Sequence, residues 1–515
     1  MTEYITNFRV TTRYYYIGGY GMLFNSYEFM LFFLPIAVIG YFILQKFNQN
    51  IAKIFLVGMS LYFYAYFEAK YLLLIGVSLF TNAFIGQQII KKTNEKNRKV
   101  LLTVGLVFNI TLLGYFKYSD FFLDNINTIF GTDIPLLKLL LPLGISFITF
   151  QKIGFLVDCY KRELTKFNFI DFCLFVTFFP QLIAGPIVHH SKVLPQFQDE
   201  SKRRLNIENI SKGLYIFGIG LTKKVVIADS LAQWADFGFS NVNQLSTIDA
   251  WITSLAYTLQ LYFDFSGYCD MAIGAALLFN ISLPINFFSP YKSLSIQDFW
   301  RRWHMTLGRF FTQYVYIPLG GSRKGQVRTY INLFTIFLIS GIWHGAGWTF
   351  VIWGILHGLA IVLHRLFKNL GGKMPKLFAW VLTMGFVHVT WVFFRATSVE
   401  DALTMLNRMF NVNYLHIQTA LIQFRPETLE GVSTINNLIY TIANLFPFQI
   451  TSTHFNFQTI LYLAIGMTIV LFTKNSIEKL DSFRPKPTYA LALASMFILS
   501  LMYLNRVSSF LYFNF

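Results

Sequence analysis

The chain has 515 residues, of which 55% are hydrophobic and only 13% are charged. Soluble globular proteins carry about 25% charged residues, so this composition excludes an ordinary soluble domain and is typical of an integral membrane protein. The net charge of +17 is explained by Lys and Arg in short cytoplasmic loops, and we expect no nucleic-acid partner. The three cysteines have no metal-like spacing, and we expect no bound metal.

Apolar stretches that could cross a bilayer recur along the chain. A crossing helix needs about 17–25 residues. The continuous stretches are 22–45, 100–116, 172–191, 377–394, 455–473 and 488–505, and the interrupted ones are 51–67, 70–90, 139–157, 250–263 and 271–291. They run apolar throughout and do not alternate, which predicts helices and not a membrane barrel. We therefore expect one all-α polytopic domain over residues 22–515, with about 10–13 transmembrane and partial helices.

The two ends of the chain give the orientation of the domain. Residues 1–21 are polar, precede the first apolar stretch and lack the order of a signal peptide, so we expect this extension to be dispensable. The basic loop 91–99 and the basic residues of 474–486 should face the cytoplasm. This orientation makes the segment 398–453 and the C-terminal tail 506–515 extracytoplasmic.

A histidine lies in the longest uncharged stretch. Residues 330–364 contain no Asp, Glu, Lys or Arg, and glycines 341, 345 and 347 cluster in the middle. As one helix the stretch would be roughly 50 Å long, so we expect a break at the glycines, with His344 inside the bilayer. A neutral imidazole can accept a proton and return it, which makes His344 a candidate catalytic base. The alternative is that His344 hydrogen-bonds a helix end.

A second histidine, His304, follows the run Phe299-Trp-Arg-Arg-Trp303. Arg301 and Arg302 could hold an anionic group of a substrate. The neighbouring Trp300 and Trp303, with Trp343 beside His344, are further candidates for substrate binding. The alternative is an interfacial anchor, because Trp and Arg are enriched at the boundary of water and lipid.

Other polar residues of the apolar stretches have structural interpretations. Asp264 and Asp270 lie between two apolar runs, and we expect them to be held by Arg or by a helix end, because buried carboxylates are costly unless paired. His189 and His190 are adjacent, so we expect their rings to point in different directions and to make a poor metal pair.

These motifs resemble the bacterial branch of the membrane-bound O-acyltransferase family. The matching stretches, in chain order, are Met22-Leu-Phe-Asn-Ser, Leu141-Pro-Leu-Gly-Ile-Ser-Phe, Gln181-Leu-Ile-Ala-Gly-Pro-Ile, Tyr262-Phe-Asp-Phe-Ser-Gly-Tyr, Asp298-Phe-Trp-Arg-Arg-Trp-His304, Tyr316-Ile-Pro-Leu-Gly-Gly321 and Trp343-His344-Gly. The resemblance implies a ring of helices around a central funnel, with His344 as the catalytic histidine and His304 as the second one.

The resemblance also implies a reaction and its partners. Family members of this branch carry an acetyl group from a cytoplasmic thioester, acetyl-CoA or another, to a polysaccharide beyond the bacterial cytoplasmic (inner) membrane. No covalently bound cofactor is implied, and a periplasmic SGNH-type O-acetyltransferase is the expected partner. The tail Phe510-Leu-Tyr-Phe-Asn-Phe515 is similar to an aromatic tail whose Tyr carries the acyl group, so Tyr512 is a candidate acyl relay. The alternative is an amphipathic anchor.

Three acceptors or activities stay open. Thr312 and Gln313 stand where the alginate subgroup has a basic–acidic pair, which favours peptidoglycan as the acceptor. Alginate or another exopolysaccharide is the alternative. A polytopic transporter or glycan flippase would also place Asp and His inside the membrane, although no inverted repeat is evident.

Overall fold

The computed structural model describes residues 22–411, 457–504 and 510–511. Three regions discussed above lie outside the described residues: the extension 1–21, most of the segment 398–453, and the tail apart from Phe510 and Leu511. The predictions about these regions stay predictions.

Every regular element of the described residues is a helix, as the apolar pattern predicts. We number the α-helices α1 (Leu34–Phe47), α2 (Gln49–Glu68), α3 (Tyr71–Lys91), α4 (Glu95–Phe130), α5 (Ile145–Lys161), α6 (Phe169–Thr177), α7 (Phe179–Leu182), α8 (His190–Gln198), α9 (Ile207–Thr222), α10 (Asp229–Ser240), α11 (Thr247–Leu277), α12 (Ile296–Arg302), α13 (Met305–Phe311), α14 (Gln326–His344), α15 (Trp348–Asn369), α16 (Lys376–Arg395), α17 (Val399–Phe410), α18 (Phe457–Phe472), α19 (Ser476–Asp481) and α20 (Pro487–Tyr503). Three π-helical segments join or extend them: Glu28–Phe33, Lys223–Ala228 and Thr312–Tyr316.

Six helices of the described residues are long and apolar enough to cross a membrane. They are α1 with its π-helical start, α2, α3, α4, α15 and α16, and two shorter apolar helices, α18 and α20, follow near the C-terminus. This confirms a multi-pass helical membrane protein. The ring around a funnel stays a prediction.

The longest helix, α4, has both ends fixed by local sequence. The side chain of Asn94 accepts hydrogen bonds from the backbone N–H groups of Lys96 and Asn97, and Gly131 ends the helix in the left-handed region with φ of 64°. Its 36 residues extend roughly 54 Å, so it is longer than the hydrocarbon layer of about 30 Å. Lys117, two thirds along it, therefore lies far from the basic loop 91–99.

Three predicted spans are wrong. Residues 172–191 do not form a crossing helix, because the chain turns between α6, α7 and α8. Residues 250–263 and 271–291 are not two spans, since α11 is one helix of 31 residues that ends at Leu277. Almost all of α11 is buried within the protein, so its apolar sequence reflects protein packing and not contact with lipid.

Glycines let α11 approach α9 very closely. A Cβ atom at Gly220 would lie 2.5 Å from the carbonyl oxygen of Gly267, and a Cβ atom at Gly274 would lie 2.6 Å from that of Gly213. Small residues at helix contacts allow the backbones themselves to pack. This contact fixes α11, and with it Asp264 and Asp270, beside the π-helical segment that follows α9.

The predicted break in the uncharged stretch is confirmed. Helix α14 ends at His344, residues 345–347 are not helical, and α15 begins at Trp348. The first helix has 19 residues, because it begins at Gln326, before the uncharged stretch starts. A Cβ atom at Gly341 would lie 2.4 Å from the carbonyl oxygen of Phe350, so this glycine allows the two helices to pack as a tight hairpin.

Candidate active site

His344 is the last residue of α14, and it is buried in an aromatic cage. Its ring centroid lies 4.9 Å from that of Trp343, 5.2 Å from Trp353 and 5.1 Å from Phe394. The side chain is 3% exposed. A ring at the open end of a helix, walled by aromatic side chains, is held in one place and shielded from bulk water.

Helix α4 caps the end of α14 that carries His344. The ammonium group of Lys117 donates to the carbonyl oxygens of Trp343 and His344, the latter at 3.0 Å. The hydroxyl group of Tyr118 donates to the carbonyl oxygen of Ile342 at 2.8 Å. The last carbonyls of a helix have no partner within the helix, and a cation there is favourable. Lys117 therefore fixes the position at which α14 stops.

His304 lies between α12 and α13 in an unusual backbone conformation. Its φ of 45° and ψ of 50° place it in the left-handed region, which is sparsely populated by residues other than Gly and Asn and which often marks functional sites. Two backbone hydrogen bonds hold this turn to the preceding loop: Met305 N–H donates to the Asn286 carbonyl at 2.9 Å, and Phe288 N–H donates to that of Arg302 at 2.9 Å.

The side chain of Asn286 orients the ring of His304. Its Oδ1 lies 3.1 Å from Nδ1 of His304 and accepts from the backbone N–H of Thr306 at 3.2 Å. The backbone donor identifies this atom of Asn286 as the oxygen, so Nδ1 of His304 carries the proton. In the neutral ring Nε2 then has the lone pair, which is the tautomer that can accept a proton or a hydrogen bond.

The fold brings the two candidate histidines close together. Their ring centroids are 6.5 Å apart, and Trp343 contacts both rings. His304 borders a cavity of about 680 Å³ that also reaches Ser340, one turn before His344. The cavity thus gives access to His304, and the ring of His344 lies directly behind it. The pairing suits acyl transfer, in which one group moves a proton and another holds the reacting atoms.

The predicted substrate-binding residues divide into two groups. Trp300 and Arg301 line the cavity. Arg302 is paired with Asp298 at 2.9 Å, and Trp303 is buried against Tyr291 and other aromatic rings. Trp343 packs on Phe150 at 5.0 Å, between the two histidines. Trp300 and Arg301 are thus the members of this set that face the cavity, while the others support its wall.

Asp264 and Asp270 are paired, but with lysines and not with arginines. The ammonium group of Lys224 lies 2.7 Å from Asp264, and that of Lys223 lies 2.7 Å from Asp270. Both lysines belong to the π-helical segment after α9. π-Helical turns are frequent at functional sites, and here the turn brings two consecutive cations to one face of α11. The sequence interpretation of the two carboxylates as structural support is thereby strengthened.

The described part of the C-terminal tail is buried beside this network. The backbone N–H of Leu511 donates to Oδ2 of Asp264 at 2.9 Å, and the ring of Phe510 stacks on Tyr268 at 4.6 Å. Phe510 also contacts Phe265, whose ring lies 4.9 Å from that of His304. One aromatic ring therefore separates the tail from His304. Tyr512 itself lies outside the described residues.

The prediction that His189 and His190 point apart is wrong. Both Nε2 atoms lie within 3 Å of the same oxygen of Asp158, at 2.8 and 2.9 Å. The pair lies where α8 begins, and the extended conformation of His189 there lets consecutive side chains turn to one point.

Sequence reasoning missed three residues of the site. Asn286 lies in an irregular loop and Lys117 in a long apolar helix, and neither belongs to a recognised motif. Asp158 was passed over because it follows an apolar stretch. A lone Lys in the interior of a crossing helix is a signal that could have identified Lys117, because such charges are costly without a partner.

Comparison with known proteins agrees with this geometry. The model of the membrane-bound O-acyltransferase family matches residues 146–399. The chain is 46% identical to a peptidoglycan O-acetyltransferase of Helicobacter pylori, over 96% of this chain and 98% of the relative. It is 40% identical to a probable alginate O-acetylase, AlgI, of Pseudomonas aeruginosa, over 76% and 75% of the two chains. A teichoic acid D-alanyltransferase of Bacillus subtilis is 26% identical over 46% of this chain.

Proposed function

Because this chain belongs to the membrane-bound O-acyltransferase family, we propose that it carries an acetyl group from a cytoplasmic thioester across the membrane for the O-acetylation of peptidoglycan. The observation that carries the proposal is the pair His304 and His344, with rings 6.5 Å apart where a large cavity meets the broken helix. The choice of peptidoglycan rests on the 46% identity to a relative of that name over nearly the whole chain.

Acetyl-CoA is the donor that the cavity suits best. Its lining includes the side chains of Arg301, Arg309 and Arg365, together with apolar side chains such as Leu333 and Phe337. Guanidinium groups can bind the phosphate oxygens of this donor with two parallel hydrogen bonds. The apolar side chains can pack against the extended chain that carries the acetyl group.

The orientation of the hairpin supports a cytoplasmic opening of this cavity. Basic residues lie at the open end of the hairpin. Near the start of α14 they are Arg323, Lys324 and Arg328, and near the end of α15 they are Arg365 and Lys368. Basic residues at the ends of crossing helices mark the cytoplasmic side. The arginine-lined cavity then admits the donor from the cytoplasm and leads it towards His304. This orientation also leaves the C-terminus, after α20, on the extracytoplasmic side of the inner membrane.

In the proposed transfer the two histidines have different roles, which the positions of their rings support. His344 takes the proton of an attacking hydroxyl, whose oxygen forms a bond to the thioester carbonyl carbon. The carbon–sulfur bond breaks, and the thiolate leaves with the proton that His344 returns. His304 positions the thioester or the acceptor, helped by Arg301. The products are an acetyl ester and a free thiol.

Tyr512 is the hydroxyl that we assign to this attack. The adjacent Leu511 is anchored on Asp264, and Phe510 packs one ring away from His304. These contacts of Phe510 and Leu511 support the assignment, because Tyr512 is the next residue in the sequence. A phenol ester is reactive because phenolate is a better leaving group than an alkoxide. A periplasmic SGNH-type O-acetyltransferase would then take the acetyl group to the glycan.

The proposal is tested by mass analysis of muropeptides and secreted glycans in a deletion strain that carries restored variants. We expect the parent gene to restore acetylated muropeptides and Tyr512→Phe to fail at normal protein level. Tyr503→Phe is the matched control, because its hydroxyl bonds Tyr462 at 2.9 Å at the end of α20, and it should restore acetylation.

Two outcomes would contradict the proposal. Full restoration by Tyr512→Phe would reduce the tail to an anchor. Acetyl groups missing only from a secreted glycan would favour the exopolysaccharide alternative, which the 40% identity to alginate O-acetylases supports less strongly.

A further inference from the structure

A second cluster of chemically capable side chains lies away from the histidine pair. Asp158 near the end of α5, His189 and His190 converge so closely that their ligand atoms all lie within 4.8 Å of one another. The side chain of Asp158 is fully buried, and that of His189 is 25% exposed. None of the three takes part in the acetyl transfer described above.

The buried carboxylate has an unusual set of partners. Among the described residues its ion-pair partners are the two histidines, and the hydroxyl group of Tyr314 donates to its oxygens at 2.9 and 3.1 Å. The other buried carboxylates that have an ion-pair partner among the described residues, those of Asp171, Asp229, Asp264 and Asp270, face lysines. An imidazole, unlike an ammonium or guanidinium group, can offer a nitrogen lone pair, so these three groups together can serve as ligands to a cation.

We propose that Asp158, His189 and His190 bind a divalent transition-metal ion, with zinc as the best fit. Two imidazole nitrogens and one carboxylate oxygen form a set that first-row metals bind, whereas Mg²⁺ and Ca²⁺ prefer oxygen ligands alone. Bonds of about 2.0–2.1 Å in a tetrahedron separate the ligand atoms by about 3.3 Å. The two nitrogen–oxygen separations, 2.8 and 2.9 Å, need to widen by only about half an ångström.

The neighbours of the cluster suit metal binding. Nδ1 of His189 accepts a hydrogen bond from the backbone N–H of Ser191 at 3.3 Å and lies 2.7 Å from the hydroxyl oxygen of the same residue. A ring of His189 that binds the metal through Nε2 carries its proton on Nδ1, where the hydroxyl oxygen of Ser191 can accept it in place of the backbone contact. Tyr314 remains as an outer partner of the carboxylate, of the kind that orients metal ligands.

The remaining coordination position faces open space. A cavity of about 320 Å³ is bordered by all three ligands and by Gln313, whose amide nitrogen lies 3.4 Å from Nε2 of His189. Gln313 and Arg309 also line the proposed donor cavity. The metal would therefore join α5, the start of α8 and the π-helical segment beside the wall of the donor cavity.

The test uses the full-length protein in detergent, with any histidine tag removed. After loading with Zn²⁺ and desalting, elemental analysis should find one zinc per chain, and Co²⁺ should give the strong visible absorption of tetrahedral coordination. Asp158→Asn and His190→Gln should each weaken binding at least about 100-fold, because loss of a ligand exceeds the 10–100-fold typical of outer partners. His364→Gln, which removes a histidine outside the cluster, should keep full binding.

A gain-of-function variant keeps the test informative even if the variants that lose a ligand misfold. Gln313→Glu replaces the amide by a carboxylate of the same reach and should tighten zinc binding about tenfold or more, since affinity rises with the number of charged ligands. The proposal is overturned if the parent binds no stoichiometric metal. It is equally overturned if Asp158→Asn and His190→Gln bind as the parent does, or if Gln313→Glu, well folded, shows no gain.

Discussion

Replacing Asn286 by Ala removes the oxygen that orients His304. That oxygen accepts from Nδ1 of His304 at 3.1 Å, from the backbone N–H of Thr306 at 3.2 Å and from the hydroxyl of Thr306 at 3.0 Å. The variant leaves two buried N–H groups without this acceptor. Each unsatisfied N–H group costs about 1–3 kcal/mol of stabilising free energy. The two together therefore destabilise the turn by about 2–6 kcal/mol.

Part of this free energy is lost as lower stability of the folded protein. The rest is lost as orientation of the His304 ring, which becomes free to turn and to change tautomer. Since about 1.4 kcal/mol corresponds to a tenfold change, we expect acetylation per molecule of Asn286→Ala to fall at least about tenfold. The assay is the fraction of O-acetylated muropeptides, divided by the amount of the variant in the membrane.

Thr306→Val is the matched control for instability. It removes another partner of the same oxygen and an acceptor of the Ile187 N–H at 3.0 Å, but it keeps the bond between Asn286 and His304. We expect less protein with near-parent activity per molecule. Parent-like activity of Asn286→Ala, or an equal loss in Thr306→Val, would refute the orienting role of Asn286.

Three further predictions use the same assay. Lys117→Met removes the cation at the end of α14. Because hydrogen bonds from charged donors contribute about 1.5–3 kcal/mol, activity should fall about 10–100-fold. Unchanged activity would show that packing alone holds this end of the helix. His344→Ala should abolish acetylation while His304→Ala only impairs it, and the reverse order would exchange their roles. A chain that begins at Met22 should insert and function like the parent, and failure to accumulate would show that residues 1–21 have a structural role.

The sequence predicts the broken helix because the physical constraint is local. A 35-residue stretch without charge cannot fit a bilayer of about 30 Å as one helix, and the glycines offer the place to break it. The same reasoning fails for residues 172–191 and for α11. A helix buried in protein is as apolar as one in lipid, so hydropathy alone does not separate the two cases.

Contacts between distant segments could not be predicted from the sequence. Lys117 and Trp343 are 226 positions apart, and Asp264 and Leu511 are 247 positions apart. The choice of Lys as the partner of Asp264 depends on a π-helical turn that no local pattern predicts. His189 and His190 converge only because the start of α8 faces Asp158, which again is a property of the packed fold.

The central claim is that His344 loads an acetyl group from the cytoplasmic donor onto Tyr512. The direct measurement incubates the full-length protein in vesicles with isotopically labelled acetyl-CoA and determines the mass of the C-terminal peptide. The account predicts a labelled acetyl group on Tyr512 in the parent and none in His344→Ala. Equal labelling in His344→Ala, or an unlabelled tail in an active parent, would contradict it.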